Sequence, residues 1–101
     1  MAFDVEVKPI ALLDIDEAID WYDKELKGLG YRFLLKIDDA FQRISANPYS
    51  YMVIHDPVRR ALLKSFPYKV LYFIKDSKTV VVIAVIHLKR SKRYTKRRSK
   101  I

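Results

Sequence analysis

The stretch Val80-Val81-Val82-Ile83-Ala84-Val85-Ile86 carries no polar side chain at either parity. Successive residues of a strand point to opposite faces, so such a run reads as a central strand covered on both sides. It is far too short to cross a bilayer, which takes about 20 apolar residues. The covering layers have to come from the rest of a 101-residue chain, which has room for one domain and one core.

The remaining pattern supplies them. Phe3-Asp4-Val5-Glu6-Val7-Lys8 alternates apolar and charged, the period of a half-buried strand, and Pro9 stops it. Asp14 followed by Glu17 reads as a capping box opening a helix. Behind it Ile15, Ala18, Ile19, Tyr22 and Leu26 fall at helical spacing. Gly28-Leu29-Gly30 breaks that helix, with Gly28 suited to a left-handed cap. A second helix, from about Tyr31 to Ala46, carries the stripe Phe33, Leu34, Ile37, Phe41 and Ile44, and Asn47-Pro48 ends it. The short break makes the two helices an antiparallel hairpin.

After Tyr51 the texture turns to strands: Val58–Lys64, Tyr68–Lys75 and Thr79–Leu88, with Phe66-Pro67 between the first two and Asp76-Ser77-Lys78 as a tight turn between the last two. Strand, helical hairpin and three strands make an α+β domain. The domain is expected over 1–90, followed by a basic C-terminal tail at 91–101 that is flexible when free.

Charge is distributed unevenly. Residues 1–50 hold six Lys/Arg and ten Asp/Glu, whereas residues 51–101 hold fourteen Lys/Arg and two acids, Asp56 and Asp76. From Lys89 onward there are eight basic residues and no acidic one. One end of the protein should attract polyanions and the other should not. With no cysteine, disulfides, thiolate metal sites and a cysteine nucleophile are excluded, and two histidines make a zinc site unexpected. No cofactor is expected. The opening residues Met1-Ala2-Phe3-Asp4 lack the basic and apolar regions of a signal peptide, so the expectation is a cytoplasmic protein with no membrane association.

Several strings, in order and at their separations, resemble the RelE/ParE toxin superfamily. They are Ala18-Ile19-Asp20-Trp21-Tyr22, Gly28-Leu29-Gly30-Tyr31-Arg32-Phe33, Ile44-Ser45-Ala46-Asn47-Pro48, Val58-Arg59-Arg60, Phe66-Pro67-Tyr68-Lys69-Val70-Leu71-Tyr72 and Ala84-Val85-Ile86-His87-Leu88-Lys89-Arg90. The resemblance implies a β-α-α-β-β-β arrangement, with the hairpin packed on one face of a curved antiparallel sheet. It implies the toxin of a type II toxin–antitoxin pair, of the plasmid-stabilisation kind, whose partner is a cognate acidic antitoxin. Two activities go with it: ParE-like members poison DNA gyrase without hydrolysis, and RelE-like members cut messenger RNA on the ribosome. Phe-Pro-Tyr followed by His-x-x-Arg looks closer to the ParE-like branch, which implies inhibition of growth through DNA gyrase or an undetermined target. A nucleic-acid-binding module of the same fold with no toxicity is a third reading.

Cleavage of RNA without a metal needs a base for the 2′-hydroxyl, cations for the phosphorane and an acid for the leaving oxygen. The candidates are His87, Arg90, Arg59, Arg60 and Tyr94. Arg59 and Arg60 are neighbours on a strand and point to opposite faces, so one can line a groove while the other is solvated. His87 shares the parity of Val81, Ile83 and Val85 and is either a packed core histidine or an acid–base group. Lys64, Lys69, Lys89, Lys92, Arg93, Lys96, Arg97 and Arg98 are candidate phosphate contacts, supplying affinity that salt weakens.

Overall fold

The computed structural model describes residues 2–101. Its centre is β5 (Thr79–His87), the apolar run, whose residues Val80 to Ile86 are all buried. Strand β1 (Asp4–Val7) pairs with it in parallel on one side and β4 (Tyr68–Ile74) antiparallel on the other. Beyond β4 come β3 (Val58–Leu62) and a three-residue edge strand, β2 (Val53–His55), giving the order β1-β5-β4-β3-β2. The α+β hairpin-on-sheet arrangement is thus as expected, with two changes. The β1–β5 pair is parallel, so the sheet is mixed, and β2 adds a fifth strand.

Helices α1 (Pro9–Glu25) and α2 (Leu29–Ala46) cover one face. Their buried residues Ala11, Ile15, Ala18, Phe33, Ile37, Ala40 and Ile44 form one cluster with Val70, Tyr72, Val80, Val82 and Val85 of the sheet. The helices meet closely because Gly30 lies against the α1 backbone; a Cβ there would sit 2.6 Å from the Ile19 carbonyl oxygen. Asp23 Oδ1 accepts the amides of Gly28 and Gly30 and so satisfies two donors at the N-terminus of α2. Gly28 takes φ 90°, the left-handed conformation foreseen for it.

The first helix begins at Pro9, five residues before the expected Asp14. Proline has no N–H to lose in a first turn and its φ is already helical, so a residue read as a strand terminator is also the helix initiator. Asp14 consequently sits inside α1, free for another task.

The opposite face of the sheet carries a second cluster: Val58, Leu71, Val81, Ile83, Ala84 and Ile86, with Ile54, Phe73 and Tyr94 packed against it. That Ile83 and Ala84, adjacent in sequence, share this face follows from a β-bulge. Leu71 pairs with Ala84 and Tyr72 with Val82, leaving Ile83 extra. The bulge reverses the parity of everything after it. His87 therefore shares a face with Val80, Val82 and Val85, on the helical side, and not with Val81 and Ile83 as simple alternation predicts.

Residues 91–101, expected to be flexible, contain a helix, α3 (Lys92–Arg98). Ser91 caps it, its hydroxyl accepting the amide of Tyr94 at 3.0 Å. Thr95 and Ser99 are buried, and Tyr94 and Arg98 half-buried, so one side of a highly cationic helix faces the protein. Among the described residues no helix is long and apolar enough to cross a membrane.

Candidate functional site

The position of α3 is set by an ion pair with α1. Arg98 Nη2 and Nη1 donate to Asp14 Oδ2 and Oδ1 at 2.6 and 3.2 Å, and both side chains are largely shielded from water. Burial alone would favour the neutral guanidine, but the Asp14 bonds outweigh it and hold Arg98 above its ordinary pKa. Asp14 Oδ2 also accepts the amide of Val85 at 2.9 Å. β1 pairs with β5 only as far as Val82, so this amide lies on a strand edge with no neighbouring strand. One carboxylate thus closes the open stretch of β5 and anchors the C-terminal helix across it.

Of the concavities that α3 borders, two bring the candidate residues together. The first is a basic cleft of about 720 Å3 on the non-helical face. Arg60 and Lys69 enter it from β3 and β4, and Arg90, Lys92, Arg93 and Lys96 from the chain after β5, over a floor containing Met52, Ile54 and Leu88. Lys69 is pushed below the usual lysine pKa, by burial first and by the charge of Arg60 second. Six like charges around one hollow make a strongly positive surface ready for phosphates or carboxylates.

The second is a pocket of about 250 Å3 between α1, the end of β5 and α3, with Glu17, Trp21, Tyr68, His87, Arg90 and Tyr94 among its walls. Behind it lies an aromatic cluster. Tyr22, Phe33, Phe66 and Tyr68 pack with ring centroids 4.9 to 6.1 Å apart. The Phe66-Pro67-Tyr68 string is thereby a core plug, and Ser65 before it takes φ 69° to make the turn.

Three of the candidate catalytic residues, His87, Arg90 and Tyr94, meet in this second pocket, whereas Arg59 and Arg60 lie elsewhere. His87 packs edge-to-face on Tyr68, with centroids 5.1 Å apart, and its Nδ1 accepts the amide of Lys89 at 3.0 Å. Arg59 lies on the helical face, where Nη1 donates to the carbonyls of Tyr49 and Tyr51 at 3.1 and 2.8 Å. Arg60 is on the other face, in the basic cleft, which answers the choice that parity left open. Tyr94 accepts at its hydroxyl from Arg98 Nη1 at 2.8 Å. The guanidinium of Arg90 sits over the Tyr94 ring, 4.4 Å from its centroid, and its side chain lines both cavities.

The candidate phosphate contacts divide into groups. Lys69, Lys92, Arg93 and Lys96 share the cleft. Arg97 and Arg98 lie on the other flank of α3, facing Lys8 and Ile10. Lys64 is exposed beyond β3, where its charge acts on Asp39, and Lys89 is exposed after β5. Sequence reasoning missed three residues. His55 lines the basic cleft, Asp14 anchors α3, and Trp21 stands 57% exposed at the second pocket. The Ser91-to-Tyr94 capping interval was a legible sign of α3; nothing local marked His55.

The fold is thus a helical hairpin on one face of a five-stranded sheet, with a cation-lined cleft on the other. Residues 5–92 match the family described as "ParE toxin of type II toxin-antitoxin system, parDE", and the chain belongs to that family. Two of the solved structures that share the fold show how far the likeness extends. One is from the chromosomal ParDE toxin–antitoxin system of P. aeruginosa, with a TM-score of 0.76 and 16% identity over 87% of this chain and 98% of that one. The other is the isolated E. coli RelE toxin, with a TM-score of 0.62 and 22% identity over 95% of each chain. No curated protein sequence matches the chain.

Proposed function

We propose that this toxin inhibits growth in the ParE-like manner, by seating its basic cleft on DNA gyrase, and that it hydrolyses nothing itself. The observation carrying this reading is the engagement of His87. Nδ1 accepts the Lys89 amide, so the ring nitrogen beside the strand end is engaged by the backbone. Arg59 is likewise occupied by two backbone carbonyls, and the Tyr94 hydroxyl is tied to Arg98. What remains of the expected constellation is Arg60 and Arg90, cations that bind phosphate or carboxylate and transfer no proton.

The same cleft suits the antitoxin. An acidic segment with a few apolar side chains would pair with Arg60, Lys69 and Lys96 and cover Met52, Ile54 and Leu88, neutralising the surface sterically and electrostatically. Folding of such a segment on this surface fits the usual logic of disordered partners.

A second reading, messenger-RNA cleavage on the ribosome, is favoured by one observation: His55 lines the cleft that also holds Lys69, whose amine is held below its ordinary pKa. Expression in bacteria separates the two. Gyrase poisoning gives double-strand DNA breaks and an SOS response with intact transcripts. Transcripts cut at codons, without DNA breaks, would replace this reading with the nuclease, and unimpeded growth would refute both.

A further inference from the structure

We propose that the pocket between α1, the end of β5 and α3 is a nucleotide site. It takes a guanine base against the Trp21 indole, with the carboxylate of Glu17 on the base's Watson–Crick edge and a phosphate on Arg90. This goes beyond gyrase binding and does not depend on it.

Trp21 supplies the first argument. It is the chain's only tryptophan, and 57% of it is exposed on the flank of α1 that faces the pocket. It meets Tyr22 edge-to-face, at 5.1 Å between centroids, and still keeps more than half of its surface open. Tyr68 and Tyr94 are further aromatic walls of the same cavity. Planar heteroaromatic ligands stack on such surfaces regardless of sequence, which is how single-stranded nucleic acids are commonly held.

Charge placement narrows the ligand. Both oxygens of Asp14 are taken by Arg98 and Val85, so Glu17, exposed and with no ion pair among the described residues, is the open carboxylate of the pocket. Guanine offers a carboxylate two parallel N–H donors, at N1 and N2; adenine offers one donor beside a lone pair, which the carboxylate repels. A lysine or arginine side chain from a partner is disfavoured, because the Tyr94 ring is already surrounded by Arg90, Arg97 and Arg98 at 4.4, 5.4 and 5.7 Å from its centroid. At about 250 Å3 the pocket is smaller than the usual range for drug-sized ligands, which limits its occupant to about one base with the sugar and phosphate toward the mouth. Arg90 lines this pocket and the basic cleft alike, so a strand lying in the cleft can place one base here without leaving cationic surface.

Two sources share this chemistry, a free guanine nucleotide and a nucleotide unit within a single strand. The sole tryptophan makes the test direct: the fluorescence of the full chain is titrated with GMP, AMP, inorganic phosphate, and single-stranded hexanucleotides containing or lacking G, with calorimetry as a second readout. The expected result is saturable quenching by GMP, about tenfold weaker binding of AMP, toward the lower end for a bidentate base contact, and no response to phosphate alone. Tighter binding of the G-containing hexamer than of GMP upholds the site with a strand as its source. Equal binding upholds it with the free nucleotide. Glu17→Gln should erase the preference for GMP over AMP, and Arg90→Ala the preference for GMP over guanosine; both residues are exposed, so the variants should fold. No saturable change with millimolar GMP or with either hexamer, equal affinity for AMP, or a Glu17→Gln variant that still discriminates would overturn the proposal.

Discussion

Replacing Asp14 by Ala removes three hydrogen bonds at once, two from Arg98 and one from the Val85 amide. The amide loses a charged acceptor on the open edge of β5, where no strand replaces it, and such bonds are worth about 1.5–3 kcal/mol. Arg98 is left with the Tyr94 hydroxyl as partner, its side chain only 13% exposed. Stranding one member of a fully buried pair costs about 3–5 kcal/mol, and partial access to water reduces that here. Allowing for both, Asp14→Ala should destabilise the fold by about 3 kcal/mol. For a slope of about 1.5 kcal/mol per molar urea, the midpoint would fall by about 2 M. Asp14→Asn keeps an acceptor for Val85 and should cost roughly half as much. Combining Asp14→Ala with Arg98→Met closes a double-mutant cycle, in which the pair should show a coupling of at least about 1 kcal/mol. Amides of α3 should exchange faster in each single variant, since their anchor is gone. An Asp14→Ala midpoint within experimental error of wild type, or strictly additive single effects, would refute the assignment of Asp14 as the anchor of α3.

Three further outcomes are expected. Gly30→Ala places a Cβ 2.6 Å from the Ile19 carbonyl oxygen and 3.2 Å from Asp23 Cβ, so despite alanine's better helix propensity it should destabilise by about 1–3 kcal/mol on thermal or urea unfolding. Tyr72→Phe removes the donor to the buried Pro48 carbonyl, a 2.6 Å bond, and should cost about 1–3 kcal/mol with little change in the fold by circular dichroism. Burial and Arg60 hold the Lys69 amine below the ordinary lysine value, so between its native and unfolded pKa it carries fewer protons in the folded protein than in the unfolded chain. Stability should rise slightly as pH climbs through this window while affinity for a polyanion falls, and Lys69→Arg, which stays charged, should flatten both trends.

The residues that decided the fold were readable because they act locally or by simple period. The apolar run at Val80–Ile86 did become the central strand, and Gly28 did supply the left-handed turn that lets α2 fold back on α1. What escaped reading depends on partners distant in sequence. Asp14 looks like a cap because Glu17 follows it, yet its role is set by Val85 and Arg98, on elements that come later in the chain. The parallel pairing of β1 is a property of topology and leaves no mark on an alternating strand. His87 was assigned to a face by counting, and a single extra residue at Ile83 reversed the count. The cationic tail read as solvated because its inward residues, Tyr94, Thr95, Arg98 and Ser99, are mostly polar, and their helical spacing is hidden among five other basic residues between 92 and 100. Arg59 and Arg60 were correctly placed on opposite faces, but only the backbone carbonyls of Tyr49 and Tyr51 reveal that the first is structural.

The account turns on cations gathered in one cleft that binds a target and performs no hydrolysis, and purified protein tests this most directly. With DNA gyrase and relaxed plasmid, the wild-type toxin should block supercoiling and trap cleaved DNA, while Arg60→Ala combined with Lys69→Ala, folded by circular dichroism, should lose both effects. Supercoiling that proceeds unhindered in the presence of wild-type protein, together with cut messenger RNA on programmed ribosomes, would contradict it.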